Sequence, residues 1–505
     1  MIALPVAIAT LILHLATASR YGYFRDELYF IACSKHLAWG YVDQPPLVAI
    51  AAYFSAPFDY HLVALRFLPV LSASVATIAA AQIARELGGG RFAQFFTAVA
   101  VALTPAYLLL GNVLTTTSFE ALSWTLAAWC TIRIVRGGGG TWWIALAAAV
   151  TFGLYGKYSM ALLVAALLGA LLMTQQRRVL ATWWLALGAA TALLLIAPNF
   201  AWQAAHGWPF FEVLRGDAAH RHAFNSGVAL EYRNFFANAR AFANEQLIYT
   251  NPVAVPVWLM GLAAPFAWTR LRDMRFISLA YAVLFAVAVV LEAKGYYIIG
   301  IYATLLAVGA VALERAAMWL RTGALVALAT VAVVVLPLSI PVLSLQRFIG
   351  YTTFFGMTGG SGAPAHLMQP VYAEEFGWER LARDVARSYN AIDFRTRSRT
   401  AIYADTYADA GAIDFFGAKY GLPAAISSQN SYWLWGTRGY DGRTILAIGA
   451  SRIDLLKHYY RHVELVSTSD EPLKWIVEGP APVYLCSGPL LPFDEIWQRL
   501  RWYGA

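Results

Sequence analysis

The chain has 505 residues, of which 59% are apolar and only 13% charged, with a net charge of +8 and a mean hydropathy of +0.55. A soluble domain carries about 25% charged residues, so this chain lacks the charge to clothe water-facing domains along its whole length. Three cysteines (Cys33, Cys130, Cys486) are too few for a disulfide scaffold, and the Lys and Arg residues lie scattered between apolar runs, not on the clustered basic face that nucleic acid requires.

Charge-free runs of about 17–25 residues mark spanning helices. Eleven are present, at approximately 1–19, 67–84, 92–110, 118–135, 141–156, 158–174, 179–198, 252–269, 276–292, 296–313 and 323–345. They are rich in Ala, Leu, Val and small residues and lack the ten-residue alternation of a membrane barrel. The first run has no basic segment before it and leads directly into a polar motif, so it reads as a helix, not a signal peptide. Alternate short connections carry Arg85 and Arg91; Arg133 and Arg136; Arg177 and Arg178; Arg270, Arg272 and Arg275; and Arg315 and Arg321. The intervening ones hold no basic residue (111–117), Lys157 alone or Lys294 alone. The positive-inside rule makes the arginine-bearing set cytoplasmic. The loops at about 20–66 and 199–251 and everything after 345 then face outward.

Residues 346–505 have ordinary soluble composition and read as a separate extracytoplasmic α/β domain after the membrane module of residues 1–345. Strands are expected at Thr400–Asp405, Pro423–Ile426, Thr444–Ile448 and Val483–Cys486. Helices are expected at Trp378–Asn390, Asp409–Tyr420, Ile453–Arg461 and Asp494–Trp502, and this alternation points to a partly parallel sheet.

The first outer loop concentrates polar groups beside a span. It holds Phe24-Arg25-Asp26-Glu27-Leu28-Tyr29 and Tyr41-Val42-Asp43-Gln44-Pro45-Pro46-Leu47. Asp26 is expected to N-cap a helix running through Lys35, with Glu27 in its first turn. Adjacent helical side chains diverge by about 100°, so one pocket would not use both carboxylates. Asp43 suits a turn before the two prolines. Lys157 and Lys294 sit where two spans nearly abut on the outer side, either snorkelling to the interface or clamping a lipid phosphate. Glu120, near the start of a span, is the residue that a secondary transporter would use. His220 and His222 in the long second loop lack the further ligands of a metal site.

These motifs, with Asn112-Val113-Leu114-Thr115-Thr116, Lys157-Tyr158-Ser159, His206-Gly207-Trp208-Pro209 and Lys294-Gly295-Tyr296-Tyr297, occur in an order that resembles bacterial members of glycosyltransferase family 39. These have the GT-C architecture and are relatives of the protein O-mannosyltransferases and of the lipid A aminoarabinose transferase. The resemblance covers about 1–345 and implies an inverting transferase of the inner (plasma) membrane. Such an enzyme moves one sugar from a polyprenyl-phosphate donor to a lipid, glycan or protein acceptor on the outer face, with no metal and no cofactor. It maps the catalytic base onto Asp26, with Asp43 as runner-up, and donor-phosphate binding onto Arg25, Lys157 and Lys294. Glu27, Tyr29, Gln44, His206, Tyr296 and Tyr297 are expected to line the substrate pocket. The rival classes are a secondary transporter and a non-catalytic lipid-carrier-binding protein.

Overall fold

The computed structural model describes residues 2–216, 235–356, 370–449, 453–470 and 480–504. Each of the eleven apolar runs contains helix. Among the described residues, five helices are long and apolar enough to cross a membrane by themselves: Leu62–Glu86, Trp183–Ala205, Thr269–Val290, Gly295–Leu313 and Met318–Ser339. A sixth crossing is formed if Arg91–Ala102 and Pro105–Gly111, bent by 60° against one another, are taken as one span. The bend has a local cause, because a residue before proline is driven out of the helical region and Thr104 is extended with ψ 120°. Leu4–Thr17, Thr141–Gly156, Ser159–Leu172 and Val255–Ala267 are shorter apolar helices, and Glu120–Val135 completes the set.

The bundle closes around Tyr302–Leu313, whose residues are all buried. That helix meets Val255–Ala267 backbone to backbone. A Cβ at Gly309 would overlap the Val257 carbonyl, and one at Gly261 the Leu305 carbonyl. Small residues at such crossings allow the close approach on which helix association in lipid depends.

The C-terminal region forms a five-stranded sheet of β1 (Ala401–Ala404), β2 (Ile426–Ser427), β3 (Thr444–Ile448), β4 (Tyr460–Ser469) and β5 (Ala481–Pro489), in the order β2-β1-β3-β5-β4. β1 runs parallel to both β2 and β3, with Tyr403 opposite Ile426 and Ala401 opposite Ile445. β5 is antiparallel to β3 and β4. The sheet is partly parallel, as the pattern predicts. Two elements differ from expectation. The helix expected to run to Arg461 stops at Tyr459, and Tyr460 begins β4, whose Val463 and Leu465 pair with β5. The strand expected from Pro423 begins only at Ile426, in keeping with the missing N–H of proline in a ladder.

The sheet region is packed onto the segment that follows the first apolar helix. Leu28, Tyr29 and Ile31 of the helix Arg25–Ser34 share a buried cluster with Tyr407, Ala408, Ile413 and Tyr432. A Cβ at Gly411 would lie 2.9 Å from the Leu28 carbonyl carbon, so the helix Tyr407–Phe416, which follows β1, rests on the loop's main chain.

Candidate active site

The helix Arg25–Ser34 starts after Phe24, whose backbone is extended (φ −67°, ψ 144°). Its N-terminal capping is not done by Asp26, contrary to the expectation from sequence. Asp26 lies inside the first turn, and the Phe24 N–H donates to Glu27 Oε2 at 2.9 Å. Glu27 also accepts from Arg66 Nε and Nη2, both at 2.8 Å, and from the Leu114 N–H at 2.9 Å. Arg66 reaches in addition the carbonyls of Ala18 (2.7 Å) and Gly22 (2.9 Å) and Glu375 Oε2 (3.2 Å). The side chains of Glu27, Arg66 and Glu375 are fully buried. Glu27 is therefore an internal strut and not a pocket residue, as the angular divergence of neighbouring helix positions requires. One guanidinium faces two carboxylates, and burial pushes Glu375 up to about 8 against the opposing pull of Arg66.

Asp26 points the other way and keeps 26% of its side chain exposed. Its Oδ1 accepts from the Tyr407 hydroxyl at 2.8 Å and lies 3.3 Å from Arg25 Nε. Among the described residues no hydrogen bond reaches its Oδ2. Arg25 Nε is also 3.5 Å from Glu374 Oε2. The Tyr407 ring lies 4.7 Å from that of Tyr29, and the Tyr29 hydroxyl donates to Asp43 Oδ1 at 2.8 Å. Two phenols in ring contact, their planes tilted by 34°, thus bridge the two aspartates. Burial raises both phenols well above their ordinary range, and the nearby carboxylates add to this, so both remain donors. Tyr29 is 1% exposed and Gln44 2%, with Gln44 Nε2 against Cys33 Sγ at 3.7 Å. Both support the site from behind and do not line a pocket.

Lys157 extends the Thr141–Gly156 helix by one extended residue. It does not snorkel freely: its Nζ donates to Thr117 Oγ1 at 3.0 Å, lies 3.8 Å from Glu120 Oε2 and stands 4.3 Å over the Tyr297 ring and 5.1 Å over that of Tyr296. Glu120, the carboxylate a transporter would use, is buried as the counter-ion of Lys157 and accepts from Ser159 Oγ. Lys294 is exposed and near enough to Lys157 to act on it electrostatically, and Asp26 acts in the same way on Tyr296. Lys157, Tyr296 and Tyr297 are in direct contact, with Asp26 and Lys294 within electrostatic range of them. His206 is not among them: it is exposed at the end of the helix Trp183–Ala205, stacked 4.0 Å from Trp202 with Nδ1 2.8 Å from the Trp202 carbonyl. His220 and His222 lie outside the described residues. Sequence reasoning missed Tyr407 and the partnership of Thr117 with Lys157.

Residues 43–202 match the family model described as dolichyl-phosphate-mannose-protein mannosyltransferase. The match includes Asp43 and Lys157 and leaves out Asp26 and Lys294. In fold the chain is similar to ArnT from Cupriavidus metallidurans. With the structure bound to undecaprenyl phosphate the TM-score is 0.60, and with the apo structure 0.58. Identity is 15% in both comparisons, which cover 96% of this chain and 98% of that one. No curated protein matches in sequence. Because the likeness spans nearly all of both chains, it takes in the C-terminal sheet as well as the helices. The chain is a multi-pass membrane protein whose residues 43–202 match the mannosyltransferase family model and whose fold is similar to that of ArnT.

Proposed function

We propose that this chain is an inverting glycosyltransferase that moves a monosaccharide from a polyprenyl-phosphate donor to an acceptor on the outer face of the inner (plasma) membrane. All eleven apolar helices cross the bilayer in this reading, the short ones obliquely or in bent pairs. Residues 1–345 form the membrane module, and 346–505 form the extracytoplasmic domain. The observation that carries the reading is a carboxylate whose Oδ2 takes no hydrogen bond among the described residues (Asp26), within electrostatic range of a cluster holding two cations (Lys157, Lys294) and two tyrosines (Tyr296, Tyr297). The fold shared with ArnT, which has been captured holding undecaprenyl phosphate, supports a lipid-phosphate donor.

Asp26 Oδ2 takes the proton of the acceptor hydroxyl as that oxygen attacks the anomeric carbon. The bond from the anomeric carbon to the phosphate oxygen breaks, and its electron pair leaves with the polyprenyl phosphate. A phosphate departs as a weakly basic anion, so no general acid is needed, unlike glycoside hydrolysis with its alkoxide leaving group. Lys157 and Lys294, with Arg25 at the edge, stabilise the charge that grows on the phosphate. Asp43 is fixed by Tyr29 and positions the acceptor. The acceptor class is a hydroxyl of a lipid, glycan or protein.

The test is transfer by purified protein in lipid vesicles with polyprenyl-phosphate sugar supplied. A general base contributes about 10²–10⁴-fold, so Asp26→Asn should fold, bind donor and lose nearly all turnover. Retention of more than roughly a tenth of the wild-type rate falls short of that range and moves the base to Asp43.

A further inference from the structure

The hydroxyl that meets Asp26 comes from far along the chain. Asp26 and Tyr407 are 381 positions apart, and Tyr407 belongs to the C-terminal sheet region. We infer that Tyr407 is a positioning residue for the Asp26 carboxylate, so that the C-terminal region completes the active site and does not merely flank it. The inference rests on the proposed role of Asp26.

The support for this hydroxyl is built from several directions. Tyr407 opens the helix Tyr407–Phe416, and its N–H donates to Gln429 Oε1 at 2.7 Å. The preceding residue, Thr406, caps the helix by accepting from the Asp409 N–H at 3.1 Å. One turn on, on the same face, Gly411 lies against the Leu28 backbone, two residues from Asp26. Any side chain there would lift the helix off the loop. The ring of Tyr407 is held by Tyr29, itself fixed by Asp43.

The geometry also assigns a task. By donating to Oδ1, the phenol holds the carboxylate in one rotamer and leaves Oδ2 as the oxygen that meets the acceptor. The charged and titratable groups around Asp26 are Arg25 at 3.3 Å, Glu374 beyond Arg25, Tyr407 and Tyr296, with Asp43 acting on Tyr407 from the far side. Of these, Tyr407 is the neutral group that donates to the carboxylate.

The experiment uses the full-length protein in lipid vesicles with polyprenyl-phosphate sugar and compares Tyr407→Phe, Gly411→Leu and Asp26→Asn with wild type. Tyr407→Phe keeps the ring and its contact with Tyr29 and removes only the donor. Its kcat should fall roughly ten- to a hundredfold, the range for one charge-assisted hydrogen bond, with donor KM unchanged. Gly411→Leu should reproduce this split, a lower kcat with donor KM unchanged, without touching the hydroxyl. A Tyr407→Phe variant with wild-type kcat overturns the inference, as does one whose donor KM rises as kcat falls, the mark of a purely structural role. If Asp26→Asn is itself active, the proposed base fails and the inference falls with it. Inactive Asp26→Asn beside a fully active Tyr407→Phe overturns the inference alone.

Discussion

Replacing Glu27 by Gln should damage the fold and not the chemistry. Glu27 Oε1 accepts from Arg66 Nε and the Leu114 N–H, and Oε2 accepts from Arg66 Nη2 and the Phe24 N–H, all within 2.8–2.9 Å. Whichever oxygen becomes the amide nitrogen, one guanidinium bond and one backbone bond are lost, and two buried donors then face a third. Breaking one side of a buried ion pair costs about 3–5 kcal/mol. Part of this is recovered because Glu375, 3.2 Å from the same guanidinium, can ionise in its place. The double variant Glu27→Gln/Glu375→Gln leaves Arg66 with no carboxylate. It should therefore lose more than the sum of the single variants, by a coupling in the range of roughly 0.5–3 kcal/mol for groups sharing a network. Equilibrium unfolding in mixed micelles, followed by tryptophan fluorescence, measures all four corners of the cycle. A Glu27→Gln protein within about 0.5 kcal/mol of wild type, the level of an inconsequential surface change, or strict additivity in the double variant refutes the reasoning.

Glu375 makes stability depend on pH. Its carboxyl is raised from 4.5 to about 8 in the folded protein, so the folded state binds the proton more tightly than the unfolded chain. That stabilisation is complete below 4.5 and is lost as pH rises through 8, at up to ~1.4 kcal/mol per unit. Wild type should unfold more easily at pH 9 than at pH 6, and Glu375→Gln should flatten the slope; equal slopes count against it. Lys294→Ala should leave the fold intact and slow turnover of limiting donor about ten- to a hundredfold, whereas Lys157→Ala should also destabilise because Glu120 is left buried without its cation. Adding Glu120→Gln to Lys157→Ala should then restore stability and not turnover, and wild-type kinetics in Lys294→Ala would return that residue to plain snorkelling. Gly309→Ala should cost at least about 1–3 kcal/mol through overpacking, as its Cβ would strike the Val257 carbonyl. Gly323→Ala, with open space around it, should be neutral or stabilising by up to ~1 kcal/mol; similar unfolding of the two variants contradicts the proposed backbone contact.

The helical bundle was legible because long uncharged runs have one stable form in lipid, where each backbone polar group must be satisfied within its own segment. Asp26, Lys157 and Lys294 were legible for a related reason: a charge beside an apolar run is expensive, so its presence draws notice. The partly parallel sheet followed from alternating strand and helix patterns, but β4 was hidden. Its first residues, Tyr460 and Arg461, continue a helical pattern that only the pairing of Tyr460 with Pro489 and of His462 with Ser487 of β5 interrupts.

What neighbouring residues decide, the sequence by itself determined: which segments are helices, and that Asp26 and Glu27 must diverge. What distant residues decide, only the tertiary structure settled. The direction of that divergence follows from Arg66, 39 residues along, which draws Glu27 inward and is itself held by Glu375 a further 309 residues away. Asp26 meets a phenol from the other end of the chain because Gly411 lets two helices touch. Such contacts leave no local periodicity, since each partner alone is an ordinary buried tyrosine, glycine or arginine. Their meaning arises when packing excludes water and each buried polar group must find its partner inside the protein.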